Sequence, residues 1–141
     1  MSQEKETQMT DDNKTLQGKS VMPSLTVNDL TASEAFFTGL GFEIEDRWEQ
    51  DGKLLGLMLK AGDARLGLSQ DDGKKGMDRV KGIGVRIYIE ADGDINAVAA
   101  RAKAAGITLS REPHDTEWGT RAFEAIEPSG FLLTIASPSS K

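Results

Sequence analysis

The sequence predicts an α+β fold made of two successive strand–helix–three-strand units. Three observations carry that expectation. Short stretches alternate apolar and polar residues with the period of two that a half-buried strand requires. Two helix patterns, Asp29 to Gly41 and Asp94 to Gly106, each span 12 positions and lie 65 residues apart. Turn signals, Asp51-Gly52 the strongest, separate the strand patterns. Two unrelated helices that share Asp caps and Gly ends are the simpler alternative. The flanking strand order repeats as well, which favours duplication.

The elements follow in order. Val21–Val27 alternates Leu25 and Val27 with Ser24 and Thr26, and Pro23 suits its beginning. Thr31-Ala-Ser-Glu34 reads as a capping box, in which the Thr hydroxyl accepts a backbone N–H and the Glu reaches back. A short helix through Phe36, Phe37 and Leu40 closes at Gly41, because glycine tolerates the left-handed conformation past a helix end. Three strands are expected over Phe42–Gln50, Lys53–Lys60 and Ala64–Gln70. Residues 71–82 are polar and glycine-rich, a connector. The pattern then returns with a strand over Val85–Glu90 and an Ala-rich helix capped by Asp94 and ended by Gly106. Strands at Ile107–Ser110, Arg121–Ile126 and Phe131–Ala136 complete it, the last two joined by the Glu127-Pro-Ser-Gly130 turn.

Composition narrows the function classes. The 141 residues suffice for one domain with a real core. The expected layout is a disordered tail over 1–19, one domain over 20–138 and a short tail over 139–141. Within the domain lie a first unit (20–70), the connector (71–82) and a second unit (83–138). Residues 1–19 lack the apolar centre of a signal peptide, and no run is long enough for a membrane helix. The chain has no cysteine, which removes disulfides, thiolate metal sites and a Cys nucleophile, and fits a cytoplasmic protein. Seventeen basic against 23 acidic residues give a net charge of −6. That argues against nucleic acid, which demands cationic patches. It serves solubility or mildly attracts a cationic ligand.

Several stretches, taken in order, resemble the vicinal oxygen chelate superfamily, which includes glyoxalase I, extradiol dioxygenases, fosfomycin-resistance enzymes and bleomycin-binding proteins. They are Leu25-Thr-Val-Asn-Asp29, Ser33-Glu-Ala-Phe-Phe37 and Leu40-Gly-Phe42 in the first unit. In the second they are Ala104-Ala-Gly-Ile107, Trp118-Gly-Thr-Arg-Ala-Phe123 and Glu127-Pro-Ser-Gly-Phe131, which stands where the family has Asp-Pro-Asp-Gly. The resemblance covers residues 21–138. It implies paired βαβββ modules forming a curled mixed sheet around a central cavity, and frequently a homodimer. Many enzymes of the family bind a divalent metal there through His or Glu. The matching positions here are Met22, Gly67, Arg86 (or Val85) and Thr134. None is a competent ligand for such an ion, which wants imidazole or carboxylate donors. A permanently charged Arg would repel it. The resemblance therefore points to a metal-free, bleomycin-resistance-like branch with no cofactor.

Strand alternation divides the candidate pocket residues. With Leu25 and Val27 packed on the helices, Met22, Ser24 and Thr26 face the cavity. With Ile87 and Ile89 packed, Arg86, Tyr88 and Glu90 face it; Thr134 and Leu132 do so by the same logic. Arg86 and Glu90 either fix a polar ligand or pair with each other. Trp48 and Trp118 offer flat apolar area for stacking, or belong to the core. His114, the single histidine, reads as a solvated loop residue within 111–117, or as a residue at the pocket mouth or a general base. The expected function is sequestration of a small molecule, an antibiotic or an aromatic or cationic metabolite, without chemistry. The alternative is a metal-dependent lyase or dioxygenase using unmatched ligands; a third is an accessory module that binds nothing.

Overall fold

A computed structural model describes residues 14–139. Its first unit consists of β1 (Ser24–Val27), α1 (Leu30–Leu40), β2 (Glu43–Gln50), β3 (Lys53–Ala61) and β4 (Ala64–Gln70). The second repeats it as β5 (Arg86–Glu90), α2 (Ile95–Ala104), β6 (Leu109–Asp115), β7 (Arg121–Ile126) and β8 (Leu132–Ala136). Each unit forms its own four-stranded sheet, ordered β1-β4-β3-β2 and β5-β8-β7-β6. In each, the first strand runs parallel to the fourth and the other pairs are antiparallel. The fold class is as predicted, but the two sheets stay separate and close no barrel.

The duplication extends to single hydrogen bonds. Asp29 accepts from the backbone N–H groups of Thr31 and Ala32, and Asp94 from those of Asn96 and Ala97. At the other end Gly41 and Phe42 donate to the carbonyls of Thr38 and Phe37. Gly106 and Ile107 donate to those of Lys103 and Ala102, the same offsets again. Both glycines have positive φ, +114° and +95°.

Three local expectations need correction. Thr31 does not cap α1; Asp29 does, so the helix starts at Leu30, which is thereby buried. Glu34 is released from the capping box and reaches Arg47 of β2 at 3.2 Å instead. The strand expected to start at Ile107 starts at Leu109, because the backbone of Ile107 is still closing α2. The outer strand ends are trimmed, with Val21 and Val85 outside β1 and β5. Of the expected N-terminal tail, residues 14–19 are exposed and irregular; residues 1–13, like 140–141 at the other end, lie outside the described residues.

Alternate residues explain the core. Leu25, Val27, Leu57, Leu59, Leu66 and Leu68 turn from the first sheet toward α1, and Ile87, Phe123, Leu133 and Ile135 turn from the second into the same cluster. Phe37, fully buried, meets Phe36 and Phe42 edge-on at 5.2 and 5.4 Å. Removing such a ring costs about 3–5 kcal/mol. Gly39 brings α1 against Ile107 and Ala105; a Cβ there would lie 2.9 Å from the Ile107 side chain. With one core shared in this way, the opposite face of the first sheet is left open, with a hollow described below.

One polar cluster ties the units together and a second holds the connector. The carboxylate of Glu127, fully buried, accepts from the hydroxyl of Ser33 on α1 and, at 2.7 Å, from the backbone N–H of Ser129. Ser129 in turn accepts from the backbone of Asn28 at 2.8 Å. Such a group stays buried only when hydrogen-bonded. The connector is pinned by Lys81, whose ammonium donates to Asp71 at 2.8 Å and to the side chain of Asn28.

Candidate functional site

The open face of the first sheet is built from its small residues. Register places Ser24 beside Gly67 and Gly67 beside Met58; the next row runs Thr26, Ser69, Gly56, Trp48. A hollow of about 250 Å³ lies here, lined among others by Met22, Trp48, Gly56, Met58 and Gly67. A Cβ on Gly56 would come within 3.1 Å of the Trp48 ring. The indole thus settles against bare backbone, and half of its surface stays open to solvent. A single glycine inside a strand marks this kind of close approach. Gly56, Met58 and Ser69 went unrecognised in the sequence, although the break that Gly56 makes in an otherwise apolar run was a usable signal.

A larger cavity, about 510 Å³, lies between the units. The segment before β1, the β3–β4 turn and β5 form its walls, with Arg65, Tyr88 and Glu90 among its polar residues and Met22, Phe42 and Leu66 among its apolar ones. Arg65 is held by a two-pronged hydrogen bond to Glu45, both contacts 3.0 Å. That pairing holds the Glu45 carboxyl below its ordinary range.

On the second sheet, register aligns Tyr88, Thr134 and Glu124 in one row. Arg86 lies over it, its Nη1 3.3 Å from the Thr134 hydroxyl and 3.4 Å from Glu124. Arg86 therefore pairs with Glu124, not with Glu90. His114 is not in a loop: it sits in β6 opposite Ala122, its Nδ1 2.9 Å from the Glu112 carbonyl. Two register shifts and Pro113 hid this strand from an alternation reading. Trp118 lies in the β6–β7 connection, exposed. The predicted residues thus fall into groups. Met22 joins Trp48 in one hollow and Tyr88 and Glu90 in the other; Arg86 and Thr134 meet each other but line neither hollow, and His114 and Trp118 line neither.

The family's metal positions do not fit a metal. Gly67 has no donor, and Met22 offers only a soft thioether. In the second sheet the Arg86 guanidinium already supplies the positive charge beside Thr134 and Glu124. Among the described residues, no three His, Cys, Asp or Glu side chains converge as a ligand set.

The fold and these positions define a class, and comparison with known proteins agrees. The chain belongs to the Glyoxalase/Bleomycin resistance protein/Dioxygenase superfamily, whose model matches residues 19–135. Among solved structures it is similar to TioX from Micromonospora sp. ML1, at 18% identity and a TM-score of 0.68, over 85% of this chain and 98% of that one. It is similar to a bleomycin-binding protein solved with bleomycin, at 21% identity and a TM-score of 0.61, over 86% and 100%. It is also similar to a lactoylglutathione lyase from Agrobacterium tumefaciens, at 19% identity and a TM-score of 0.62, over 86% and 95%. These identities speak for the shared fold alone. No curated protein matches the chain in a sequence search. Among the described residues no helix is long and apolar enough to cross a membrane.

Proposed function

We propose that this protein is a small-molecule-binding member of its superfamily that sequesters an aromatic compound, antibiotics included, without making or breaking a bond. One observation carries the reading: Trp48 lies half-exposed on the backbone of Gly56 above a hollow floored by Met58 and Gly67. A half-exposed ring seated beside a glycine is open to stack on a planar ligand. The bleomycin-binding relative supports a ligand role for this fold. The unsuitable donor set at Met22, Gly67, Arg86 and Thr134 supports binding over metal chemistry. The ligand lies against one sheet, and a second copy of the chain covers it, giving a homodimer. Location in the cytoplasm fits the cysteine-free sequence.

The test is a fluorescence titration in a Trp118→Phe background, which leaves Trp48 as the reporter. A panel of planar aromatic antibiotics and metabolites is expected to contain a ligand that quenches Trp48 saturably. Trp48→Ala should weaken its binding, measured by calorimetry, about tenfold or more, since stacking on one ring contributes on the order of 1–3 kcal/mol. Gly56→Val, which pushes the indole off its seat, should weaken it similarly. Stoichiometric Ni, Zn, Fe or Mn in the purified protein, or a panel without any saturable quencher, would overturn the reading.

A further inference from the structure

The hollow under Trp48 does not end at its apolar floor. Ser69 lines both it and a neighbouring polar cavity of about 310 Å³ at the end of the same sheet face. Thr26 and Ser69, their hydroxyls 3.5 Å apart, form the sill between the two. Beyond it stand Lys74, Lys75 and Arg79 of the connector, with Asp71 and Asp72. The carboxylates are already committed. Asp71 is engaged by Lys81 at 2.8 Å and Arg79 at 3.2 Å. Asp72 accepts from the Lys74 backbone at 2.9 Å and lies 4.0 Å from its ammonium. Among the described residues Lys75 takes part in no ion pair. A chain of net charge −6 thus gathers four cations, counting Lys81, against two carboxylates at this one end of the groove.

Resting on the aromatic-binding reading above, we infer that this polar cavity is an anion subsite of the same groove. The ligand is an aromatic acid: its ring lies on Trp48 and Gly56, and its carboxylate or phosphate reaches over the hydroxyl sill to Lys74 and Lys75. Two hydroxyls can donate to an acid oxygen, and ammonium groups add charge-assisted hydrogen bonds. The order along the groove, ring shelf, hydroxyls, cations, matches the order of parts in such a molecule. The overall acidity of the chain suggests a cationic ligand; the local charge at the groove's end reverses that preference.

Two fluorescent probes test it: 8-anilinonaphthalene-1-sulfonate, and N-phenyl-1-naphthylamine, which has the same rings and no acid group. The wild-type protein is expected to bind the sulfonate at least about tenfold more tightly at low salt, with the gap shrinking as screening grows. Lys74→Gln with Lys75→Gln should remove most of that gap and leave the neutral probe unchanged. Lys103→Gln, on α2 of the other unit, removes a charge and should change neither. Trp48→Ala should weaken both. Equal affinity for the two probes, or a sulfonate affinity indifferent to Lys74 and Lys75, overturns the anion subsite while Trp48-dependent binding of the neutral probe keeps the aromatic groove. Failure of both probes to depend on Trp48 overturns the groove itself. Displacement of the sulfonate by 1-naphthoate or 1-naphthyl phosphate identifies a carboxylate or phosphate acid, and displacement by 1-naphthol equally well overturns the proposal.

Discussion

Asp71 ties the start of the connector to its end, at Lys81 and Arg79. The Lys81 ammonium, first among its partners, the Gly73 backbone N–H and the Arg79 charge hold its carboxyl down from 3.8 to about 2. A carboxyl whose folded pKa is depressed lends stability that is present above its unfolded pKa and lost as pH falls toward the folded one. Wild-type stability is therefore expected to decline between about pH 4 and pH 2 partly through Asp71. Asp71→Asn should be less stable at neutral pH and should show a shallower decline across that window in urea titrations. An unchanged slope would remove Asp71 from the acid response. At this scale the sequence was partly readable. Met22, Tyr88 and Glu90 line one cavity, but Ile87 and Ile89 line it too, so strand parity alone does not select its residues. The pairing of Arg86 with Glu124, 38 residues away, was not readable, because strand order decides who stands beside whom. Lys74 and Lys75 looked like ordinary linker charges until the fold set them beside Thr26 and Ser69.

Whole elements were easier to read than their ends. The Asp94 cap and the two glycine ends announce themselves at a fixed offset, and hairpins through Asp51-Gly52, whereas the α1 cap reads as Thr31 and lies at Asp29. β6 was misplaced because its register shifts break the alternation that identifies a strand. The β7–β8 turn shows how tightly elements can interlock where no side chain is involved. Gly82 and Gly130 have φ of +81° and +115°. A Cβ on Gly130 would lie 2.5 Å from the Lys81 carbonyl, and one on Gly82 equally close to the Gly130 carbonyl. The connector's end and the turn therefore touch backbone to backbone, a short distance from the Glu127 cluster. Gly130→Ala is expected to cost roughly 1–3 kcal/mol, from the left-handed strain and the displaced backbone together. Gly62→Ala supplies the comparison: its φ is +61°, but nothing lies within 4 Å of the added methyl. Chemical denaturation should rank Gly130→Ala well below Gly62→Ala in midpoint. Equal midpoints would mean that the connector moves aside freely and that the two units are not latched there.

At the scale of the molecule, one core serves both units, so the sheet face that carries the Trp48 hollow is left uncovered. On and beside the first sheet Trp48, Leu55 and Met22 are each at least 40% exposed, and on the second unit Val85 and Tyr88 are similarly open. Apolar groups exposed beside a hollow are more consistent with a covered face than with a solvated one. The proposed homodimer would account for this, with another copy of the chain as the ligand's second wall. The open face was not legible in the sequence, because composition reports how much apolar surface exists and not which face it ends on. Sedimentation is expected to give twice the 15.2 kDa chain mass at micromolar concentration, dissociating on dilution. If the partner closes the groove, binding and assembly are linked, and the sulfonate probe should shift the association toward the dimer in proportion to its differential affinity. Leu55→Glu places a charge on the exposed rim of the first sheet without touching the core. It should yield monomer. A chain that stays monomeric at every concentration, yet binds the probe at full strength, would show that one copy's groove suffices.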